Sequence, residues 1–398
     1  DPDIDVLGAA GVTWLRVVFA AVWWGAFTAI CYGGSRVIYG LRREVRDVRK
    51  LGQYTLTEKI GEGGMGIVYR ATHAMLRRPT AVKLLLADKV GPAALTRFER
   101  EVQMTSMLTH PNTVTIYDYG RTPDGVFYYA MELLDGASLR DIVELLGPQP
   151  PSRIIRILRQ AAGALAEAHE IGVMHRDVKP ANIMLVEQGG KPDVAKLVDF
   201  GLVKELARTG DEALTDDETI TGTPQYLPPE AIREPDGMDA RGDLYALGAV
   251  GYYLLTGHHV FDGETVVEVC SQHLNDEPVP PSERAGRALP EDLVSVVLRC
   301  LAKDPDDRPQ SALELEARLL ACTDADTWSE QDAREWWARH RDALSAQRNE
   351  KALSGQGLTM EIALSERVAD DDCVAKRWLG RDKSGRRRDS SDPARELA

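Results

Sequence analysis

His175-Arg176-Asp177-Val178-Lys179-Pro180-Ala181-Asn182 packs a carboxylate, an amide and several cations into eight consecutive positions. A carboxylate can take a proton from a hydroxyl. An amide oxygen a few residues later can join the oxygen ligands of a hard metal ion. Lys179, shortly after Asp177, can steady a negative group lying between them. Positioning and charge neutralisation of this kind are most of what phosphoryl transfer needs. A short run can also arise by chance in a surface loop, so its reading depends on whether the other parts occur in order along the chain.

Upstream, Tyr54 to Ile60 reads as a strand, with Leu56 and Ile60 marking a buried face. Ile60-Gly61-Glu62-Gly63-Gly64-Met65-Gly66-Ile67-Val68 follows, with Gly61, Gly63 and Gly66 in a G-x-G-x-x-G spacing. Glycine is needed where backbone approaches phosphates closely or takes positive φ. In a dinucleotide-binding turn this spacing opens a helix. Here Ile67 to Ala71 continues as strand, which predicts a hairpin lid, and no Gly-Lys-Ser/Thr follows to make a Walker A loop. Another strand, Pro79 to Leu85, carries Lys83. Pro92 to Leu108 predicts a helix with an apolar stripe of Leu95, Phe98, Val102 and Met107. Tyr128 to Leu134 predicts a strand that ends in a turn at Asp135-Gly136. Downstream, the apolar helix Ile154 to Ile171 leads into the opening stretch. Ile183 to Val186 reads as a strand, Gln188 to Asp193 as a turn, and Ala195 to Val198 as the return strand that delivers Asp199-Phe200-Gly201. An acid at a strand end followed by glycine suits a Mg²⁺ ligand.

In this order the parts resemble the protein kinase family: H-R-D-L-x-x-x-N with Val178 in place of Leu, a glycine-rich hairpin, a V-A-I-K strand at Ala81-Val82-Lys83, and D-F-G at Asp199. The resemblance implies that Lys83 binds the α- and β-phosphates of ATP under a lid of residues 60–68, with Ala81 beside it. It implies Glu101 as the partner of Lys83, since Arg97-Phe98-Glu99-Arg100-Glu101 and then His110-Pro111-Asn112 follow the family pattern, with Glu99 as the fallback. Met131 would be the gatekeeper, and the backbone of Glu132 and Leu133 would bind adenine. Asn182 and Asp199 would hold Mg²⁺, or Mn²⁺, against the phosphates. Gly222-Thr223-Pro224 and Tyr226-Leu227-Pro228-Pro229-Glu230 resemble the segment closing the activation loop, with Pro228 where the family has Ala. Glu230 would pair with Arg308, and Asp243 would steady the catalytic loop. Lys179 and Gly222-Thr223 resemble serine/threonine rather than tyrosine kinases, closest to the bacterial Hanks type. Arg176 beside Asp177 implies a switch by activation-loop phosphorylation, with Thr219 preferred over Thr221 and Thr215.

The totals narrow the classes further. The chain has 398 residues, 48 Lys and Arg against 62 Asp and Glu, and a net charge of −14, which argues against nucleic acid as a partner. Its five cysteines are scattered and form no C-x-x-C pair, so no zinc site or disulfide framework is implied. It begins at Asp1 without an initiator Met, which reads as a processed chain, a truncated chain or a fragment. Residues 17–35 carry no charge and would span roughly 28 Å as a helix, close to a bilayer core of roughly 30 Å. Acidic residues precede the segment, and Arg36, Arg42, Arg43, Arg46, Arg49 and Lys50 follow it. The positive-inside bias places the C-terminal side in the cytoplasm.

The expectation is a bilobal α+β protein kinase fold, a small β-rich lobe from Tyr54 to Leu134 and a larger helical lobe to about Leu320. Residues 1–16 are read as an extracytoplasmic flank, 17–35 as a transmembrane helix, 36–53 as a juxtamembrane linker, 54–320 as the kinase domain, and 321–398 as a C-terminal helix and disordered tail. In the last part, Trp328 to Arg348 predicts an amphipathic helix packed on the kinase or bound to a partner. The expected function is Ser/Thr phosphorylation of protein substrates in signalling, with ATP and Mg²⁺, autophosphorylation of the activation loop, and a second copy of the chain as a partner for phosphorylation in trans. The rivals are a membrane-tethered pseudokinase scaffold and a small-molecule phosphotransferase.

Overall fold

Period-two burial organises the first half of the chain. In a computed structural model, which describes residues 24, 50–63, 66–85, 102–122, 126–200, 223–234 and 237–354, six antiparallel strands form one sheet. They are β1 (Lys50–Leu51), β2 (Tyr54–Gly63), β3 (Gly66–His73), β4 (Pro79–Leu85), β5 (Ile116–Arg121) and β6 (Phe127–Glu132), in the order β1-β2-β3-β4-β6-β5. Successive side chains of a strand point to opposite faces. Tyr54, Leu56, Tyr69, Ala71, Val82 and Ala130 pack together on one face. Ala81, Leu85, Phe127, Tyr129 and Met131 face the other way and join the main core. That alternation puts Lys83 on the same face as Ala81 and Leu85, opposite Tyr129 in the β4–β6 register.

The glycine-rich run is itself strand. β2 extends to Gly63, and Gly63 pairs with Gly66 across Gly64 and Met65, which lie outside the described residues. At Gly66, φ is +154° and a Cβ would stand 2.2 Å from the Leu84 carbonyl oxygen, so only glycine fits.

The second half is helical around a small sheet. β7 (Gly136–Ser138), β8 (Ile183–Gln188) and β9 (Lys191–Leu197) pair in that order. Around them lie α1 (Leu139–Leu146), α2 (Pro151–Glu170), α3 (Ala240–Thr256), α4 (Val266–Asn275), α5 (Glu291–Cys300), α6 (Ala312–Leu320) and α7 (Glu330–Ser354). α2 starts on Pro151, whose fixed φ suits a first turn, and it buries Ile154, Ile155, Ile157, Leu158 and Leu165. Each such side chain stabilises by about 1.5–3 kcal/mol. α3 is capped by the Asp239 carboxylate, which accepts from Arg241 N at 2.8 Å, and closes on left-handed Gly257. Its residues from Gly242 to Thr256 are all buried.

Three expectations change. Met107 does not join an apolar stripe: the helix there ends at residue 106 and Met107 is 61% exposed, while Val102 is fully buried. The turn expected over Gln188 to Asp193 shrinks to Gly189-Gly190, both at positive φ, because Gln188 already pairs with Lys191. Asp193 therefore lies inside β9 and is buried. The C-terminal helix begins at Glu330, so Trp328 precedes it. The candidate span 17–35 lies outside the described residues except for Trp24, and among the described residues no helix is long and apolar enough to cross a membrane.

Candidate active site

β8 leaves directly from Asn182, and β9 ends two residues before Asp199. One hairpin therefore carries both residues to the same end of the small sheet. Val198 N donates to the Asn182 carbonyl oxygen at 2.9 Å, which ties the two approaches together.

The catalytic loop is held by a buried carboxylate on α3. Asp243 Oδ2 accepts from His175 N at 2.8 Å and Oδ1 from Arg176 N at 2.8 Å, while His169 Nε2 lies 2.8 Å from Oδ2. Burial alone would push the Asp243 carboxyl up, but its hydrogen bonds, from the His169 ring and the His175 backbone N–H, hold it below the usual carboxylate range. The grip has a structural purpose. Arg176 has φ +60°, a conformation that costs an L-residue about 1–2 kcal/mol. His175 is buried, its Nε2 lies 3.0 Å from the Val198 carbonyl oxygen, and its ring packs on Phe200 with centroids 4.6 Å apart. Burial lowers its pKa, so its ring is neutral at pH 7.

Beyond that bend, Asp177 Oδ2 receives Asn182 Nδ2 at 2.9 Å and Lys179 Nζ at 2.8 Å. Lys179 Nζ also donates to Thr223 Oγ1 at 3.2 Å. Asn182 Nδ2 donates to the Asp177 carbonyl oxygen as well, at 2.9 Å. With its NH₂ group so engaged, Asn182 presents its amide oxygen as its remaining side-chain donor atom to a cation.

Across the cleft, Lys83 Nζ pairs with Asp199 Oδ1 at 2.8 Å. Glu101, its expected partner, and the fallback Glu99 lie outside the described residues, as do Thr215, Thr219 and Thr221. Asp199 has φ +57°. Burial would raise its pKa, but Lys83 and the Tyr129 hydroxyl hold it low. Tyr129 Oη donates to Asp199 Oδ1 at 2.8 Å, and burial next to that carboxylate raises the Tyr129 pKa well above the ordinary tyrosine value. In the sequence Tyr129 has no marked role, since a tyrosine in an apolar strand looks like core. Its place opposite Lys83 in the strand register is the signal that could have found it.

The rest of the candidate nucleotide pocket is assembled by register. Ile60 and Val68 lie against the main core, Gly61 faces Val68, and Glu62 faces Ile67 in the lid hairpin. Met131 sits opposite Ala81. Glu132 N donates to the Thr115 carbonyl oxygen at 3.0 Å, and its carboxylate accepts from Thr115 N and from Lys196 Nζ, both at 2.8 Å. Glu132 thus anchors the strand end to β9 with its side chain, and Leu133 follows, half-buried. At the base of the helical lobe, Arg308 and Glu230 form a two-pronged ion pair, with Nη1 to Oε1 and Nη2 to Oε2 both 2.7 Å.

Among the described residues, no three His, Cys, Asp or Glu side chains cluster as a self-contained metal site.

A two-lobed frame with a loop-borne carboxylate, an amide, and a strand lysine facing a second carboxylate has the layout of the protein kinase fold. The chain belongs to the protein kinase family, in its bacterial serine/threonine branch: the family's domain model matches residues 54–318. It is 45% identical over 272 residues to the serine/threonine-protein kinase PknB of Mycolicibacterium smegmatis, a match covering 67% of this chain and 42% of that protein. PknB of Mycobacterium tuberculosis H37Rv is 43% identical with the same coverages. The kinase pkn3 of Myxococcus xanthus is 39% identical, with 68% of this chain and 50% of that protein covered. The chain thus spans half or less of the length of these relatives. Among solved structures, the M. tuberculosis PknI kinase domain matches with a TM-score of 0.53 and 27% identity, covering 68% of this chain and 96% of that one. A structure of Rad53 in complex with AMP-PNP matches with a TM-score of 0.56 and 26% identity, covering 69% and 65%.

Proposed function

We propose that this chain is a serine/threonine protein kinase that transfers the γ-phosphate of ATP to hydroxyls of proteins. The observation that carries the reading is the Asp177 carboxylate, fixed by Asn182 and by a Lys179 that also reaches Thr223. Asp177 accepts the proton of the substrate hydroxyl while that oxygen forms its bond to the γ-phosphorus. The bond from the γ-phosphorus to the β–γ bridging oxygen breaks, and ADP leaves with the electron pair. Lys179 balances charge on the transferring group, and its contact with Thr223 aligns the substrate-facing segment with the base. Lys83 holds the α- and β-phosphates beneath the hairpin of residues 60–68, with Glu101 orienting it. Met131, Ala81 and the backbone of Glu132 and Leu133 shape the adenine pocket. Asn182 and Asp199 are the residues that would hold Mg²⁺ or Mn²⁺. The ion, when bound, supplies neutralisation of phosphate charge.

Support for a protein rather than a small-molecule acceptor comes from the Gly222 to Glu230 segment, which Glu230 and Arg308 tie to the lobe. In this reading the catalytic domain covers residues 54–320, residues 17–35 anchor it with the kinase facing the cytoplasm, and the loop threonines, Thr219 first, are phosphorylated in trans by a second copy. The test is transfer of labelled phosphate from ATP to a generic protein substrate and to the chain itself. Wild type should label serine and threonine, and Asp177→Asn should not. Equal incorporation by the two would remove the catalytic reading and leave a scaffold. Deleting residues 1–40 should release the chain from the membrane fraction. A chain already soluble with those residues has no anchor there.

A further inference from the structure

The segment after the matched domain is built into the catalytic lobe. The carboxylate of Asp193, a residue 1% exposed, accepts four hydrogen bonds. Arg153 supplies two, from Nε at 2.8 Å and Nη2 at 2.7 Å. Trp328 Nε1 supplies a third at 3.0 Å and Trp337 Nε1 the fourth at 2.7 Å. Trp336 covers the Arg153 guanidinium, whose carbon stands 3.6 Å from the ring centroid. Two of the four donors to a buried carboxylate therefore come from beyond residue 318, and without them that carboxylate would be short of partners.

Further along, Arg341 pairs with Glu187 on β8 at 2.7 Å. Arg348 Nη1 donates to the Gly136 carbonyl oxygen at 3.1 Å, and Nη2 reaches Asp135 Oδ1 at 3.5 Å. Gly136 starts β7, three residues after Leu133, which with Glu132 is read as offering its backbone to adenine. It is pressed on β8 from the other side, since a Cβ there would stand 2.0 Å from the Leu185 carbonyl oxygen. The small sheet thus has two working ends. One presents Asn182 and Asp199. The other is gripped by Trp328, Trp337, Arg341 and Arg348.

We propose that Trp328–Arg348 is a strap that positions the hinge and the β8–β9 hairpin, and that Arg348 is a positioning residue for the nucleotide. The proposal rests on reading the cleft as an ATP site. Arg348 is the residue to test, because its side chain is 39% exposed and its removal leaves the tryptophan cluster intact.

The experiment uses the full chain and titrates AMP-PNP with Mg²⁺ by calorimetry, alongside thermal melts and amide exchange over residues 133–137. Arg348→Ala should weaken AMP-PNP roughly three- to tenfold, a coupling of the size carried by such contacts. The loss should fall on KM for ATP and not on KM for the protein substrate. Arg348→Lys should recover most of it. Arg339→Ala, on the exposed side of α7 in a pair with Glu335, should bind as wild type. Unchanged affinity in Arg348→Ala, or a loss matched by a fall in melting temperature that lysine does not restore, overturns the strap. If wild type itself binds no AMP-PNP, the ATP reading fails separately. The strap then stands on faster exchange at residues 133–137 in Arg348→Ala and falls if exchange is unchanged.

Discussion

Two buried aspartates do similar work by different means. Asp243 and Asp193 are 0% and 1% exposed. Asp243 takes backbone N–H groups from the neighbouring residues His175 and Arg176 and holds a left-handed bend in place. Asp193 takes side-chain donors from Arg153, Trp328 and Trp337, which are 40, 135 and 144 positions away. The first node fixes the shape of a short loop, so its failure should appear in the reaction. The second joins distant parts of the chain, so its failure should appear in stability.

That contrast can be broken by substitution. Asp193→Ala leaves the Arg153 guanidinium buried without its carboxylate, and removing one partner of such a pair costs about 3–5 kcal/mol. A urea titration should show that loss. A cost below about 1 kcal/mol, the level of an exposed pair, would mean that the node is not closed to water. Asp243→Ala should instead lower the phosphate-transfer rate by roughly 100-fold, since a base displaced by about 1 Å loses that much. If its rate holds while its stability collapses, the division of labour is wrong. Trp337→Phe keeps an aromatic ring but loses the indole N–H, one of four donors to Asp193, and part of the buried ring volume, and should cost about 1–3 kcal/mol. Equal stability of Trp337→Phe and wild type would show that the indole N–H contributes nothing.

The smallest effect is in the pH profile. The folded pKa of Asp243 lies below its unfolded value of about 3.9. On acidification the unfolded chain takes the proton first. The Asp243 contribution is therefore complete above about pH 4 and is lost as pH falls through the folded pKa. Asp243→Asn should flatten the acid limb of stability below about pH 4. Limbs of equal slope would contradict the charge assignment.

The same contrast explains what the sequence could tell. Asp177, Lys179 and Asn182 were legible because the loop chemistry is contiguous, and Asp199 because a hairpin leads to it at short range. Strand alternation and the apolar face of α2 marked individual elements, and the two-lobed arrangement followed from the resemblance to the protein kinase family. Asp193 was hidden. A run of Gly, Lys, Pro and Asp looks like a turn, and only cross-strand pairing of Gln188 with Lys191 shows that the turn is two residues long. Its partners are set by tertiary packing, which no local period encodes. Tyr129 was hidden for a related reason: burial in a strand and a hydrogen bond to Asp199 make the same demand on sequence, an aromatic residue on the inward face.

The most direct measurement is the single-turnover rate of phosphate transfer from saturating ATP for wild type and Asp177→Asn, with the unfolding free energy of each. A base of this kind contributes about 10²- to 10⁴-fold. A rate loss in that range with the fold retained is the expected result. A folded Asp177→Asn chain that transfers phosphate at the wild-type rate would contradict it.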